Sequence, residues 1–308
     1  MSRLNRVTNA GQGSEPRGGS AFGPTSAGRR AVRWMRENPL FAFGAAIVMI
    51  VVIFGVLAPF LAPFPDDAST ATHPFETLVA PSAEHLFGTD QVGRDILSRV
   101  IYGIRISPVI AAAVIASSCI IGIPLGLLAG HFGGVIDEVI MRITDIFLAV
   151  PALLLALAFA VVLPPSPYST MIAIGIAWWP WYARLVRGEA KSVTTRRYVE
   201  NARILGLPRW RVMFRHVLPN SVTPVIVQAS LDFGGIILTA ASLSFLGLGA
   251  QDPTPDWGLM VNQGQGYFAT QWWVVTFPGL AILITALAFN LLGDGIHERL
   301  DPRRVVSR

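Results

Sequence analysis

The chain has 308 residues, 52% of them hydrophobic and 14% charged, with a formal net charge of +5 at pH 7. The apolar residues gather into blocks as long as a bilayer is thick, and six such blocks leave too little polar sequence to cover them as soluble cores. A water-soluble fold is therefore excluded, and the single cysteine, Cys119, rules out an intramolecular disulfide and reads as a buried structural thiol.

Residues 1–28 are rich in Gly, Ser, Pro and Arg and hold few large apolar side chains, which predicts a disordered cytoplasmic tail. The first apolar block begins only at Leu40 and is too long for a signal-peptide core, so the N-terminal segment is expected to remain in the mature protein. Within "RRAVRWMREN", residues 29–38, Val32, Trp34 and Met35 alternate with arginines, as in a short helix lying in the headgroup layer.

Six spans follow: Leu40–Pro63, Ser107–Gly130, Ile143–Leu163, Ser169–Ala183, Val222–Leu248 and Trp272–Gly293. The fourth is the shortest, and Tyr168 and the Trp-Pro-Trp run from Trp179 extend it. Ile96, Leu97, Val100, Ile101 and Ile104 form one apolar face, which predicts a surface helix before the second span, either meeting another protein or covering the bundle. Pro124, Pro151, Pro180, Pro224 and Pro278 fall inside spans, where proline and small residues serve packing and bends or mark a moving part. No internal repeat is visible, which weakens any fold of two inverted halves.

Counting Lys and Arg by compartment places 21 on one face and three, Arg94, Arg99 and Arg105, on the other. The positive-inside rule then puts both termini and the segment 184–221 in the cytoplasm. The expected organisation is a tail over 1–28, an interfacial helix over 29–38, the first span and extracytoplasmic loop over 39–106, a core of five spans over 107–298, and a cytoplasmic tail over 299–308.

The segment "YVENARILGLPRWRVMFRHVLPN", residues 198–220, interrupts the lipid-seeking blocks with four arginines. Tyr198 to Leu205 has no helix breaker, Gly206 supplies a stop, and Pro208 suits the first position of a second helix. In that second helix Trp210, Met213, Phe214 and Val217 fall on one stripe, with Arg209, Arg211 and Arg215 elsewhere, and Pro219 predicts a stop before the fifth span. A helix resting on anionic lipid explains the stripe and the charge. It does not require a glycine hinge, a glutamate that reads as buried (Glu200) or a proline at each end, whereas a rigid knob fitting a partner's groove does.

Glu200, Ala202 and Gly206, followed by Leu218 and Pro219, resemble the EAA loop of ATP-binding-cassette importer permeases; Asn201 departs from the usual first alanine and His216 from a common aliphatic residue. "HLFGTDQVGRDILSRVIYGIRIS" from His85, "YARLVRGE" from Tyr182, "ASLSFLGLGAQDPTPDWG" from Ala241 and "FNLLGDGIHERLDPR" from Phe289 resemble the C-type permease subunit of the dipeptide, oligopeptide and nickel importers. The resemblance implies an all-α, polytopic membrane protein with six transmembrane helices in the type I importer permease (MetI-like) fold. It implies short peptides as cargo, with nickel as the alternative, and alternating access in the inner membrane. Implied partners are a homologous second permease subunit, two cytoplasmic ATPase domains or subunits and an extracytoplasmic substrate-binding protein, alongside membrane lipid; nucleic acid is not expected. Glu200, Ala202, Gly206, Leu207, Pro208, Arg209, Leu218 and Pro219 would form the surface that couples to the ATPases.

The sequence has no G-x-x-x-x-G-K-[ST] loop, and its only lysine, Lys191, follows Ala190. ATP and Mg are therefore expected on partner subunits, with no cofactor, metal or catalytic residue on this chain. His73, His85, His131, His216 and His297 lack metal-ligand spacing. Asp232 lies near the middle of the fifth span, where an acid is costly; it either lines the route for a peptide's amino terminus or bonds a neighbouring helix. Trp178 and Trp179, with Trp181 beside Pro180, either border the same pathway or anchor the helix at the interface. Arg142 and Asp145 are spaced for a local ion pair. A self-sufficient secondary transporter or channel would need paired mid-membrane acids or broken helices, and a lipid-binding scaffold would need no partners.

Overall fold

The computed structural model describes residues 38–300; the expected tail over 1–28, residues 29–37 of the expected headgroup helix and residues 301–308 of the C-terminal tail lie outside them. Within this range the backbone is helical apart from its loops, with one isolated bridge between Thr89 and Asp95. The long helices are α1 (Pro39–Val56), α3 (Ser107–Phe132), α6 (Pro167–Thr194), α8 (Arg209–Phe245) and α10 (Trp273–Leu300). Between them lie α2 (Ile96–Gly103), the pair α4 (Gly134–Leu148) and α5 (Ala152–Val162), α7 (Arg197–Ile204) and α9 (Trp257–Gly264).

Local chemistry sets the helix starts. Asp95 caps α2 by accepting from the Ser98 amide, Ser166 caps α6 at the Ser169 amide with Pro167 behind it, and Asp256 caps α9 at the Leu259 amide. Among the described residues, four helical stretches are long and apolar enough to cross a bilayer, and the α4–α5 pair makes a fifth. That pair bends by 85°, so the span expected over Ile143–Leu163 is broken, with Pro151 at the break.

The remaining crossing is α6, whose 28 residues reach about 42 Å at 1.5 Å per residue. It mixes tryptophan, tyrosine and small residues with its aliphatics because its surroundings are protein more than lipid: Ala173, Ile174, Tyr182, Ala183, Val186 and Ala190 are wholly buried. It also continues past Ala183 to Thr194, taking Arg184, Arg187 and Lys191 into the helix.

Glycine decides how α3 and α6 meet. A Cβ on Gly122 would stand 2.8 Å from the Trp179 carbonyl oxygen, on Gly130 2.6 Å from that of Arg187, and on Gly126 it would collide with that of Ala183. Gly122-x-x-x-Gly126-x-x-x-Gly130 is thus a continuous groove against which the α6 backbone lies, in the small-residue manner of membrane helix pairs. Contact positions rise together, Gly126 beside Ala183 and Gly130 beside Ala190, so the helices are parallel and the α4–α5 pair must carry the chain back between them. The pairs α1–α10, with Gly44 on Leu291 and Gly295 on Phe41, and α8–α10, with Gly234 on Ala286 and Gly293 on Ser230, are antiparallel. This alternation accounts for six crossings.

Two apolar cores result. One joins Ile110, Val114, Ile174, Ile236, Leu243 and Trp257; the other joins Leu127, Tyr182, Val186, Val199, Val212 and Val217. The second fastens α7 and the start of α8 onto the ends of α3 and α6. The outer sides of the bundle carry Leu40, Met49, Ile120, Val162 and Leu283, all exposed, as lipid-facing helices must.

Candidate functional site

The bundle has three regions where polar chemistry concentrates. The first is the corner made by α7 and α8. Helix α7 ends with the Gly206 amide on the Arg203 carbonyl (2.9 Å) and the Leu207 amide on the Ala202 carbonyl (3.2 Å), the paired closure that needs a left-handed residue between them. Gly206 supplies it with φ of +81°. Pro208 then serves as the N-cap of α8 rather than its first residue. Pro219 does not stop that helix. The turn Met213–Val217 widens so that the Leu218 amide reaches the Met213 carbonyl, which makes room for the proline ring, and α8 runs on to Phe245.

Burial sorts the residues of the corner. Ala202 is buried, Leu207 and Leu218 half-buried, and Glu200, Gly206, Pro208, Arg209 and Pro219 exposed, which corrects the expectation of a buried Glu200. The expected apolar stripe also divides: Val212, Met213 and Val217 pack inward, while Trp210 and Phe214 face out at 55% and 57% exposure, Trp210 against Phe132 at 4.9 Å. Ile204 and Leu205, 78% and 79% exposed, stand at the tip beside Arg203. An apolar tip ringed by arginines is the form of a protein-docking surface.

The second region is a cavity of about 590 Å³ on one face of α6 and α8, lined by Trp178, Trp181, Arg184, Gln228 and Asp232. Asp232 is fixed from both sides: Tyr182, wholly buried, donates its hydroxyl to Oδ2 at 2.9 Å, and Gln228, one turn earlier on α8, donates Nε2 to Oδ1 at 2.8 Å. Trp179 turns the other way, buried against Phe147 at 5.4 Å, and does not line this cavity. Arg142 pairs with Glu138 at 3.8 Å, and Asp145 crosses to Arg184 on α6, so the local Arg142–Asp145 pair expected from spacing does not form. Nearby, Asp137 takes Arg187 (2.9 Å to Nη2) and Lys191 (2.7 Å), tying α4 to α6.

The third region is a polar cap at the end opposite the corner. Buried Asp67 accepts from the Asp95 amide at 2.7 Å and lies 2.9 Å from His73 Nε2; Asp95 meets His85 at 3.1 Å. Arg94 bridges Asp90 (2.8 Å) to Asp252 (2.9 Å), and the indole of Trp257 donates to the Val100 carbonyl at 3.0 Å, so the two loops of this end and α2 form one unit. Its groups are electrostatically tuned. The hydrogen bond with Asp67 raises the His73 pKa, burial with repulsion from Arg94 pushes Arg99 down to about 10, and Asp252, although burial opposes it, is held below the usual carboxylate range by Arg94 and Gln263. The signal for a buried network was the spacing Asp90, Arg94, Asp95, Ser98, Arg99, which places a salt bridge and a cap around one helix start.

An all-helical, polytopic bundle with a cationic corner at one end and, within its span, a cavity that holds Asp232 and Arg184 defines the protein as a membrane transport subunit. The chain belongs to the binding-protein-dependent transport system inner membrane component family, whose model matches residues 122–306; residues 26–81 match the N-terminal transmembrane domain of oligopeptide transport permease C. It is 45% identical over 276 residues to the "Probable D,D-dipeptide transport system permease protein DdpC" of Escherichia coli K12, covering 90% of this chain and 92% of that protein. It is 42% identical over 275 residues to the dipeptide transport system permease protein of Alkalihalophilus pseudofirmus, covering 89% and 90% of the two chains. Among solved structures, the inward-facing MetNI methionine ABC transporter matches with a TM-score of 0.55 at 17% identity, covering 67% of this chain and 98% of that one. An amino acid ABC transporter matches at 0.51 and 14%, covering 66% and 94%. These two likenesses concern the fold.

Proposed function

We propose that this chain is the permease subunit of an ATP-driven importer that carries short peptides into the cytoplasm by alternating access. The observation that carries the reading is mechanical. Helix α8 begins in the exposed corner at Arg209 and is unbroken through Asp232 to Phe245, so a displacement at the corner reaches the cavity wall along one rod. Glu200, Ala202, Gly206, Leu207, Pro208, Arg209, Leu218 and Pro219 make up the corner and its hinge, and its tip at Ile204 and Leu205 docks on a cytoplasmic ATPase subunit. ATP and Mg act there and not on this chain. Asp232 and Trp178 line the translocation pathway, and Trp181 takes the place that sequence had given to Trp179. A second, homologous permease closes the pathway from the other side.

In this orientation the corner and both chain ends are cytoplasmic and the polar cap receives the substrate-binding protein. Relatives named as dipeptide permeases at 42–45% identity support the peptide cargo.

The test is reconstitution of the whole importer in proteoliposomes with its binding protein. Dipeptide uptake should require ATP and both permeases. Gly206→Pro, which cannot adopt a φ of +81°, and Glu200→Lys should insert normally but fail to retain the ATPases on purification. Wild-type uptake by both variants would overturn the coupling assignment.

A further inference from the structure

Asp232 and Arg184 stand in one cavity, opposite charges held on different helices. Tyr182 and Gln228 each occupy one lone-pair direction of an Asp232 oxygen, which leaves acceptor capacity on both oxygens toward the open side. On α6, Trp178, Trp181 and Arg184 follow one another at intervals of three along the cavity face. Arg184 is two residues beyond Tyr182, a rise of about 3 Å, on the side toward the corner. Its guanidinium, about half exposed, has five N–H donors, of which the contact with Asp145 employs a part.

We infer that this cavity recognises a free peptide by both of its charged ends, the α-ammonium at Asp232 and the α-carboxylate at Arg184, with Trp178 and Trp181 as the walls between. The inference rests on the import reading above and deepens it by naming the ligand chemistry. A volume of about 590 Å³ is ordinary for a small-molecule site and has room for a dipeptide, whose two extended residues span at most about 7 Å. A carboxylate in a span is costly unless it is partnered, and a cationic cargo group supplies the partner that the neutral Tyr182 and Gln228 do not. The tryptophan faces add attraction for the ammonium.

The experiment is ATP-driven uptake of radiolabelled Ala-Ala by the complete importer in proteoliposomes, with binding protein saturating. Asp232→Asn keeps the shape, accepting from Gln228 through Oδ1 and donating Nδ2–H to the Tyr182 hydroxyl oxygen in place of the bond it accepted there, but removes the charge; it should slow uptake about tenfold, and Asp232→Glu should restore much of it. Arg184→Gln should slow uptake to a similar degree, whereas Asp145→Asn, which breaks the same ion pair from its other end, should stay near the wild-type rate. Wild-type uptake by Asp232→Asn would overturn the ammonium assignment. Equal losses in Arg184→Gln and Asp145→Asn would reduce Arg184 to a brace between α4 and α6 and overturn the carboxylate assignment. Absence of ATP-driven Ala-Ala uptake by the unaltered importer would instead overturn the import reading itself.

Discussion

His73 shows how a single contact makes part of this protein depend on pH. Its pKa is raised by Asp67, so the protonated pair stabilises the folded cap fully below the ordinary histidine value of 6.5 and the contribution fades as pH rises through the higher folded value. Thermal unfolding of the purified importer should show the wild type more stable than His73→Gln near pH 6, with the gap closing toward pH 9. Asp252 has the opposite sign. Its lowered pKa gives stability that is present above the usual carboxylate value of 3.8 and lost as pH falls through the folded value, so Asp252→Asn should be less stable than the wild type above about pH 4, with the gap closing as pH falls further. Arg94 places Asp252 in this network across 158 residues of sequence, a partnership that no local spacing could announce.

Among the helices, the α3–α6 pair is the most exacting, because backbone meets backbone there and no side chain can yield. Gly126→Val should cost about 1–3 kcal/mol or more through overpacking and appear as a loss of monodisperse complex on size-exclusion chromatography. Gly188→Ala, on the exposed side of α6 with nothing within 4 Å, should be neutral or stabilising by up to about 1 kcal/mol. The three glycines were legible in sequence as small residues at intervals of four; their partner was not, because a GxxxG face does not state which helix it meets. The bend at Pro151 and the wide turn before Pro219 make a similar point. Both prolines were visible, yet one broke its helix and the other did not, since the outcome depends on whether the preceding turn can open to i→i+5 in its surroundings.

For the molecule as a whole, the corner matters because α8 runs continuously from it to the cavity. Replacing Ile204 and Leu205 at the tip with aspartate should leave insertion intact, since both are exposed, while reducing ATPase retention on affinity purification at least about tenfold. The residues themselves determined the membrane class, the approximate spans, the helix stop at Gly206 and the polar outlier Asp232, because length, hydropathy and backbone conformation are properties of short stretches. The EAA-like pattern pointed to the family that the whole-chain matches then showed. Only the folded bundle decided that Trp181 and Arg184, and not Trp179, share a cavity with Asp232, that Asp145 chooses Arg184 over Arg142, and that Asp67, Asp90 and Asp95 of the cap are buried with partners. Those choices rest on which helices lie side by side and in which register, and in a bundle packed through small residues that register is fixed by contacts far apart in the chain.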